Sequence, residues 1–157
     1  MYTYTNGHAS ALNAANFALN GAAVAADGNF HEIGRYQVPE GVGVALGWGQ
    51  HSAQDTATGR IYLNLQNATP ANIDGVIRIE VHNPQDRSQF VAFEMRTDQL
   101  RTSASDRRQQ VPFPAMSQTL IPPYWYFVMY FKADVAATPS AANTTMLMSA
   151  AEFDAAP

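Results

Sequence analysis

Apolar and polar side chains alternate with a period of two through most of the chain beyond residue 29. In "IDGVIRIEVH", 73–82, Ile73, Gly75, Ile77, Ile79 and Val81 fall on one face and Arg78, Glu80 and His82 on the other, the pattern of a strand with one buried side. "NPQD" follows, with Pro84 suited to the second position of a turn after Asn83. "QFVAFEM", 89–95, then returns with Val91, Phe93 and Met95 opposed to Phe90, Ala92 and Glu94. Residues 73–95 are therefore expected to form an antiparallel pair. "GVGVALGW", 41–48, sets Val42, Val44, Leu46 and Trp48 against a nearly bare face of Gly43, Ala45 and Gly47, and "RIYLNLQ", 60–66, sets Ile61, Leu63 and Leu65 against Tyr62, Asn64 and Gln66. Weaker strands are expected in "FHEIGRYQV", 30–38, "RRQQVPF", 107–113, and "NTTMLMSA", 143–150. Turn chemistry fills 38–41, 49–59, 67–72 and 137–143, and only 96–106 has room for a short helix or an ordered loop. About eight short antiparallel strands without an amphipathic helix predict an all-β chain, a single β-sandwich or barrel of jelly-roll or related Greek-key type.

The segment "YWYFVMYF", 124–131, is apolar on both sides, yet its period of two separates two kinds of face. Trp125, Phe127, Met129 and Phe131 suit a dry core. Tyr124, Tyr126, Val128 and Tyr130 form an amphipathic row that suits contact with a second sheet, a neighbouring subunit or a stacked ligand. At eight residues the run is far short of the roughly 18–20 that a membrane-spanning helix needs, so membrane insertion is not expected.

Residues 1–29 differ in kind, being rich in Ala and Asn with Asp27 as their one charged side chain. Asn13, Asn16, Asn20 and Gly21 interrupt any helix, leaving Leu12, Phe17 and Leu19 as sparse apolar anchors. The expected organisation is an amino-terminal arm, 1–29, followed by a β-sandwich domain, 30–157. The arm is read as loose or as lying on its own domain or a neighbour; without charge it lacks the usual means of solvating itself as a disordered tail. Residues 1–26 contain no Lys or Arg, so no signal-peptide n-region is expected.

Composition narrows the chemistry. The 157 residues include no Cys, which removes disulfides, thiolate nucleophiles and Cys-based zinc sites. A net charge of −4 with 14% charged residues provides no basic field for nucleic acid, while 46% hydrophobic content points to a surface partly covered by something else. His8, His31, His51 and His82 are too scattered for a local metal pair, and no cofactor or metal is expected. Arg78, Glu80 and His82 read as a solvated or interface row. "GVGVALG" lacks the following helix that a phosphate loop requires, and Ser stands in no nucleophile elbow. Arg101, Arg107 and Arg108 lack interleaved aromatics. No enzyme is expected.

An uncharged arm, one sandwich of about eight strands, no cysteine, no catalytic cluster and low surface charge together resemble structural proteins of virus particles. Two families are similar in pattern: the cement or decoration proteins outside tailed-phage heads, and the single jelly-roll capsid proteins of some tailless icosahedral viruses. The resemblance implies a virion location and a protein that self-associates, as a trimer or other small oligomer, and contacts other capsid proteins. Many shell-protein arms are basic and touch the genome, whereas this one is not. The contact residues expected are Leu12, Phe17 and Leu19 from the arm and Tyr124, Tyr126 and Tyr130 from the aromatic strand. The alternative is a carbohydrate-binding sandwich that stacks sugars on the three tyrosines.

Overall fold

The structure is a computed structural model, and it describes residues 1–46, 60–64, 74–97, 111–112, 120–139 and 145–157. Within these lie β1 (Thr3–Asn13), β2 (His31–Gln37), β3 (Val42–Leu46), β4 (Arg60–Asn64), β5 (Gly75–His82), β6 (Gln89–Arg96), β7 (Val111–Pro112), β8 (Leu120–Ile121), β9 (Tyr126–Ala133) and β10 (Thr145–Ala156). They form two sheets with antiparallel neighbours throughout, and the described residues contain no α-helix.

β10 is the spine of the first sheet. β1 covers one of its edges from Thr3 opposite Ala156 to Asn13 opposite Leu147, with a bulge between Thr5 and His8. On the other edge β3 pairs with 150–154 and β4 with 145–148, so the two short strands lie end to end. β8 flanks β3 and β7 flanks β4 in the same way. The second sheet runs β2-β9-β5-β6. Ten strands thus fill eight rows, four in each sheet, which agrees with the expected all-β sandwich.

The core lies between the sheets. Ile77, Ile79, Val81, Phe127, Met129 and Phe131 come from the second, and Leu12, Val44, Leu46, Met148 and Ala150 from the first. The period of two places them: β5 and β9 register Ile77 with Phe131, Ile79 with Met129 and Val81 with Phe127, so both strands bury the same parity. β6 departs from the expected alternation. A bulge between Ile79 and Glu80 sets Ala92 as an extra residue, burying Ala92 and Phe93 consecutively and turning Val91, expected inside, out to 42% exposure.

Between β1 and β2 the chain crosses from one sheet to the other and closes an edge of the sandwich. Asn13 and Asn16 turn it, each backbone N–H donating to the other's Oδ1 at 2.8 and 3.0 Å. Phe17 accepts from Arg35 N–H at 2.9 Å and Asn20 donates to Ile33, binding the crossing to β2. Gly34 permits this approach, because a Cβ there would meet the Phe17 carbonyl and the Leu19 side chain. Further on, Val24 and Ala137 exchange backbone hydrogen bonds. Leu12, Phe17 and Leu19, expected as contact residues of an arm, therefore face the interior of this same sandwich, where they seal the gap between sheets.

The alternation expected beyond Leu46, the side chains of β4, the 96–106 element beyond Thr97, and Arg101, Arg107 and Arg108 lie outside the described residues. Phe17 is fully buried and packs its ring 6.2 Å from Tyr36, so Phe17→Ala is expected to cost about 3–5 kcal/mol, read by chemical denaturation. A loss below about 1 kcal/mol would show that the crossing does not seal the core.

Candidate functional site

The outer face of the second sheet brings together most of the described charged side chains. On β9 it presents Tyr126, Val128, Tyr130 and Lys132, which stand opposite His82, Glu80, Arg78 and Val76 of β5. On the other flank, Tyr126, Val128 and Tyr130 meet Gln37, Arg35 and Glu32 of β2. Val128 is fully buried although it points outward; its cross-strand neighbours Arg35 and Glu80 have long stems that shield it.

These side chains are joined to one another. Glu80, 9% exposed, lies 3.1 Å from His82 Nε2 and 3.5 Å from Arg78 Nη1. Arg78 Nε donates to Glu94 at 2.7 Å, and its guanidinium sits 3.9 Å from the centre of the Phe30 ring. Lys132 approaches the same ring at 5.0 Å. Arg35 pairs with Glu32 and also lies 5.0 Å from the Tyr126 ring, whose other neighbour, His82, stacks at 5.1 Å and 19°. Burial, followed by the charges of Glu80 and Glu32, raises the Tyr130 hydroxyl above its ordinary pKa. Arg96 pairs with Asp134 at the rim. Four cations (Arg35, Arg78, Arg96, Lys132) and four anions (Glu32, Glu80, Glu94, Asp134) thus share the face, which is neutral in sum.

Such a face offers polar complementarity. Among the described residues no group of three or more His, Asp or Glu is placed to hold a metal ion. No helix in the described residues is long and apolar enough to cross a membrane.

The three expected tyrosines do not form one row. Tyr126 and Tyr130 lie in the network, whereas Tyr124 sits in the turn before β9 at 44% exposure with φ 71. Its preceding "IPP" carries the turn signal that takes it out of the strand. Phe30, Glu32 and Arg35 were not singled out by sequence, because β2 reads as a weak strand. Its parity slips at the bulge between Glu32 and Gly34.

The first sheet presents a contrasting outer face. Ala9 and Ala151 are paired there, Phe153 lies over Gly7, and Tyr4 lies over Gly43; none of these side chains is charged. Beyond it, the outer edge of β1 pairs with no strand among the described residues.

Two measurements probe these electrostatics. Glu80→Gln removes a nearly buried charge from two partners and should cost about 1–3 kcal/mol in urea denaturation. Glu32→Gln, at an exposed pair, should cost no more than about 1 kcal/mol, and equal losses would contradict the role of burial. Away from this face, hydrogen bonds from His31 and the Asn29 N–H lower Asp27 from its ordinary 3.8 to about 2. A lowered folded pKa means its stabilising contribution is present above the unfolded value and fades as pH falls from 3.8 toward 2. A carboxyl NMR titration should find its midpoint near the lower figure, and a midpoint at the ordinary value would show that the His31 contact does not persist.

No family model matches the chain, and no curated protein matches it in sequence. Solved structures do match in fold. VP17, a capsid protein of bacteriophage P23-77, superposes with a TM-score of 0.59 at 10% identity over 100% of each chain. The VP16-VP17 complex, a complex of the two major capsid proteins of bacteriophage P23-77, matches with a TM-score of 0.62 at 11% identity, covering 97% of this chain and 100% of that one. The chain therefore has a β-sandwich fold like that of phage capsid proteins.

Proposed function

We propose that the chain is a virion structural protein, a capsid or capsid-decorating subunit that packs against copies of itself and against other capsid proteins. The observation that carries this reading is the end-to-end likeness to VP17, which spans 100% of both chains and so involves the whole sandwich rather than a shared core motif. The VP16-VP17 match adds that a similar fold occurs in a complex of two capsid proteins. The two outer faces suit such packing. On one, Tyr4, Ala9, Ala151 and Phe153 carry no charge, and the β1 edge beside them pairs with no strand among the described residues; on the other, Arg35, Arg78 and Arg96 are already paired with carboxylates of the same chain. The role is mechanical and involves no turnover.

A sugar-binding role for the tyrosine row fits less well. Stacking needs a free ring face, and Tyr126 is flanked by His82 from β5 and Arg35 from β2, on opposite sides of β9. For self-association the favoured surface is β1 with the face of Ala9 and Ala151, since β1 pairs outward with no strand among the described residues and a sheet edge is a template for another strand. Ala9 is exposed there, and Ala9→Lys adds charge without touching the core. Light scattering over a concentration series should find oligomers for the natural chain and at least about a tenfold weaker association for the variant, or ~1.4 kcal/mol. A natural chain that stays monomeric, alone and mixed with other capsid proteins of its virus, would overturn the proposal. Deleting residues 1–26 is a poorer test, because it would strip β1 from β10 and empty the core positions of Leu12, Phe17 and Leu19.

A further inference from the structure

At one end of the sandwich two turns enclose a cavity of about 140 Å³ lined by Tyr2, Glu40, Gly41, Pro123, Tyr124, Ala155 and Pro157. The first turn, Pro39 to Val42, is closed by Val42 N–H donating to the Pro39 carbonyl, with Gly41 at φ 75. The second contains Pro123 and Tyr124 just before β9. A volume of 140 Å³ is well below the roughly 300–1,000 Å³ of pockets that take whole small molecules, so the space fits the head group of a side chain.

Tyr124 is held there against its own backbone preference. It occupies the turn position with φ 71, a region that Gly or Asn adopts easily and a bulky residue does not. Three hydrogen bonds keep it in place: its N–H to Val38 at 2.9 Å, Val38 N–H to the Trp125 carbonyl at 2.8 Å, and Gln37 Nε2 to its own carbonyl at 3.1 Å. The ring gains no place in the core by this, being 44% exposed. It gains a position over the cavity, beside Tyr2 and next to Glu40. Loss of solvent around the hydroxyl, then the nearby Glu40 charge, raise the Tyr124 hydroxyl above its ordinary pKa. The Glu40 carboxylate, exposed and lining the cavity, is the acceptor there.

Two tyrosine rings, two prolines and one carboxylate around a head-group-sized space make a cation site. We propose that this cavity receives the guanidinium of an arginine side chain presented by a partner protein, with the plane against a tyrosine ring and the N–H groups on Glu40. Guanidinium is favoured over ammonium because it stacks on aromatic faces, is weakly hydrated and donates two parallel hydrogen bonds to a carboxylate.

The test is an NMR titration of the full chain with N-acetyl-arginine amide, following the Tyr2 and Tyr124 ring signals, with the citrulline analogue as neutral isostere and the lysine analogue as the other cation. Saturable shifts with arginine, at least about tenfold weaker with citrulline, lysine or the Glu40→Gln variant, are expected. Tyr124→Gly is the decisive variant. Release of left-handed strain offsets glycine's greater freedom in the unfolded chain, so the thermal midpoint should hold or rise while arginine binding is lost. Lysine binding as tightly as arginine, citrulline binding as well as either, or unchanged binding by Tyr124→Gly would overturn the assignment. So would a marked fall in the thermal midpoint of Tyr124→Gly, which would make the ring a packing residue. None of these outcomes depends on whether the chain assembles into a shell.

Discussion

Pairing of β10 with three strands at once sets the register of the first sheet, and with it the position of nearly every sheet-one core side chain. β1 lies along one edge, while β3 and β4 divide the other between them. A one-residue slip of β10 would turn Met148 and Ala150 out of the core, so burial enforces the register. Small residues on this strand also match what faces it. The second sheet contributes Phe93, Phe127 and Phe131, and fully buried Ala150 leaves depth for rings that a second layer of large side chains would exclude. β10 can therefore join the first and last parts of the chain without much hydrophobic area of its own.

The second sheet solves a different problem. Its inner residues are large and apolar, and most of its outer charges are paired with one another. Most of those ion pairs are exposed and individually weak. Glu80 differs because it is nearly buried: with His82 and Arg78 beside it the charge is compensated, and without them it would stand alone in a poorly solvated place. Arg78 in turn lies against Phe30, which ties the residue just before β2 to β5 across β9. The network thus holds three strands laterally, where the core holds them from beneath.

How much of this was legible in sequence follows from side-chain contrast. β5 and β9 were legible residue by residue, because each alternates strongly and neither is interrupted by a bulge on its own strand. The length of β10 was not: Ala, Ser and Met differ too little from face to face, and only 143–150 gave a signal while the strand runs to Ala156. β1 is harder still, since "TYTNGHASALN" carries one large aliphatic residue in eleven positions and a bulge that reverses its parity. Val91 was misplaced for a similar reason: a bulge on β6 is a backbone event that leaves no mark on hydrophobicity. Of the outer face, Arg78, Glu80 and His82 were legible as a row, but their partners Phe30, Glu94 and Tyr126 lie outside β5. No spacing rule within one strand reaches across a sheet.

Four non-glycine residues in the described chain hold a positive φ, and they separate strain that serves folding from strain that does not. Asn6 stands in the β1 bulge, where a short amide side chain tolerates the conformation. Arg87 belongs to the tight turn between β5 and β6 and donates its N–H to Asn83 at 3.0 Å. Ala18 lies between Phe17 and Leu19, and its twist lets two adjacent anchors both point inward. In each case the backbone cost is matched by a turn, a bulge or buried area. Tyr124 has a turn to close as well, but glycine would close it with less strain, and the core does not claim its ring. A costly conformation that folding does not require must be explained by what the side chain does on the surface. There it lines a cavity with Tyr2 and Glu40.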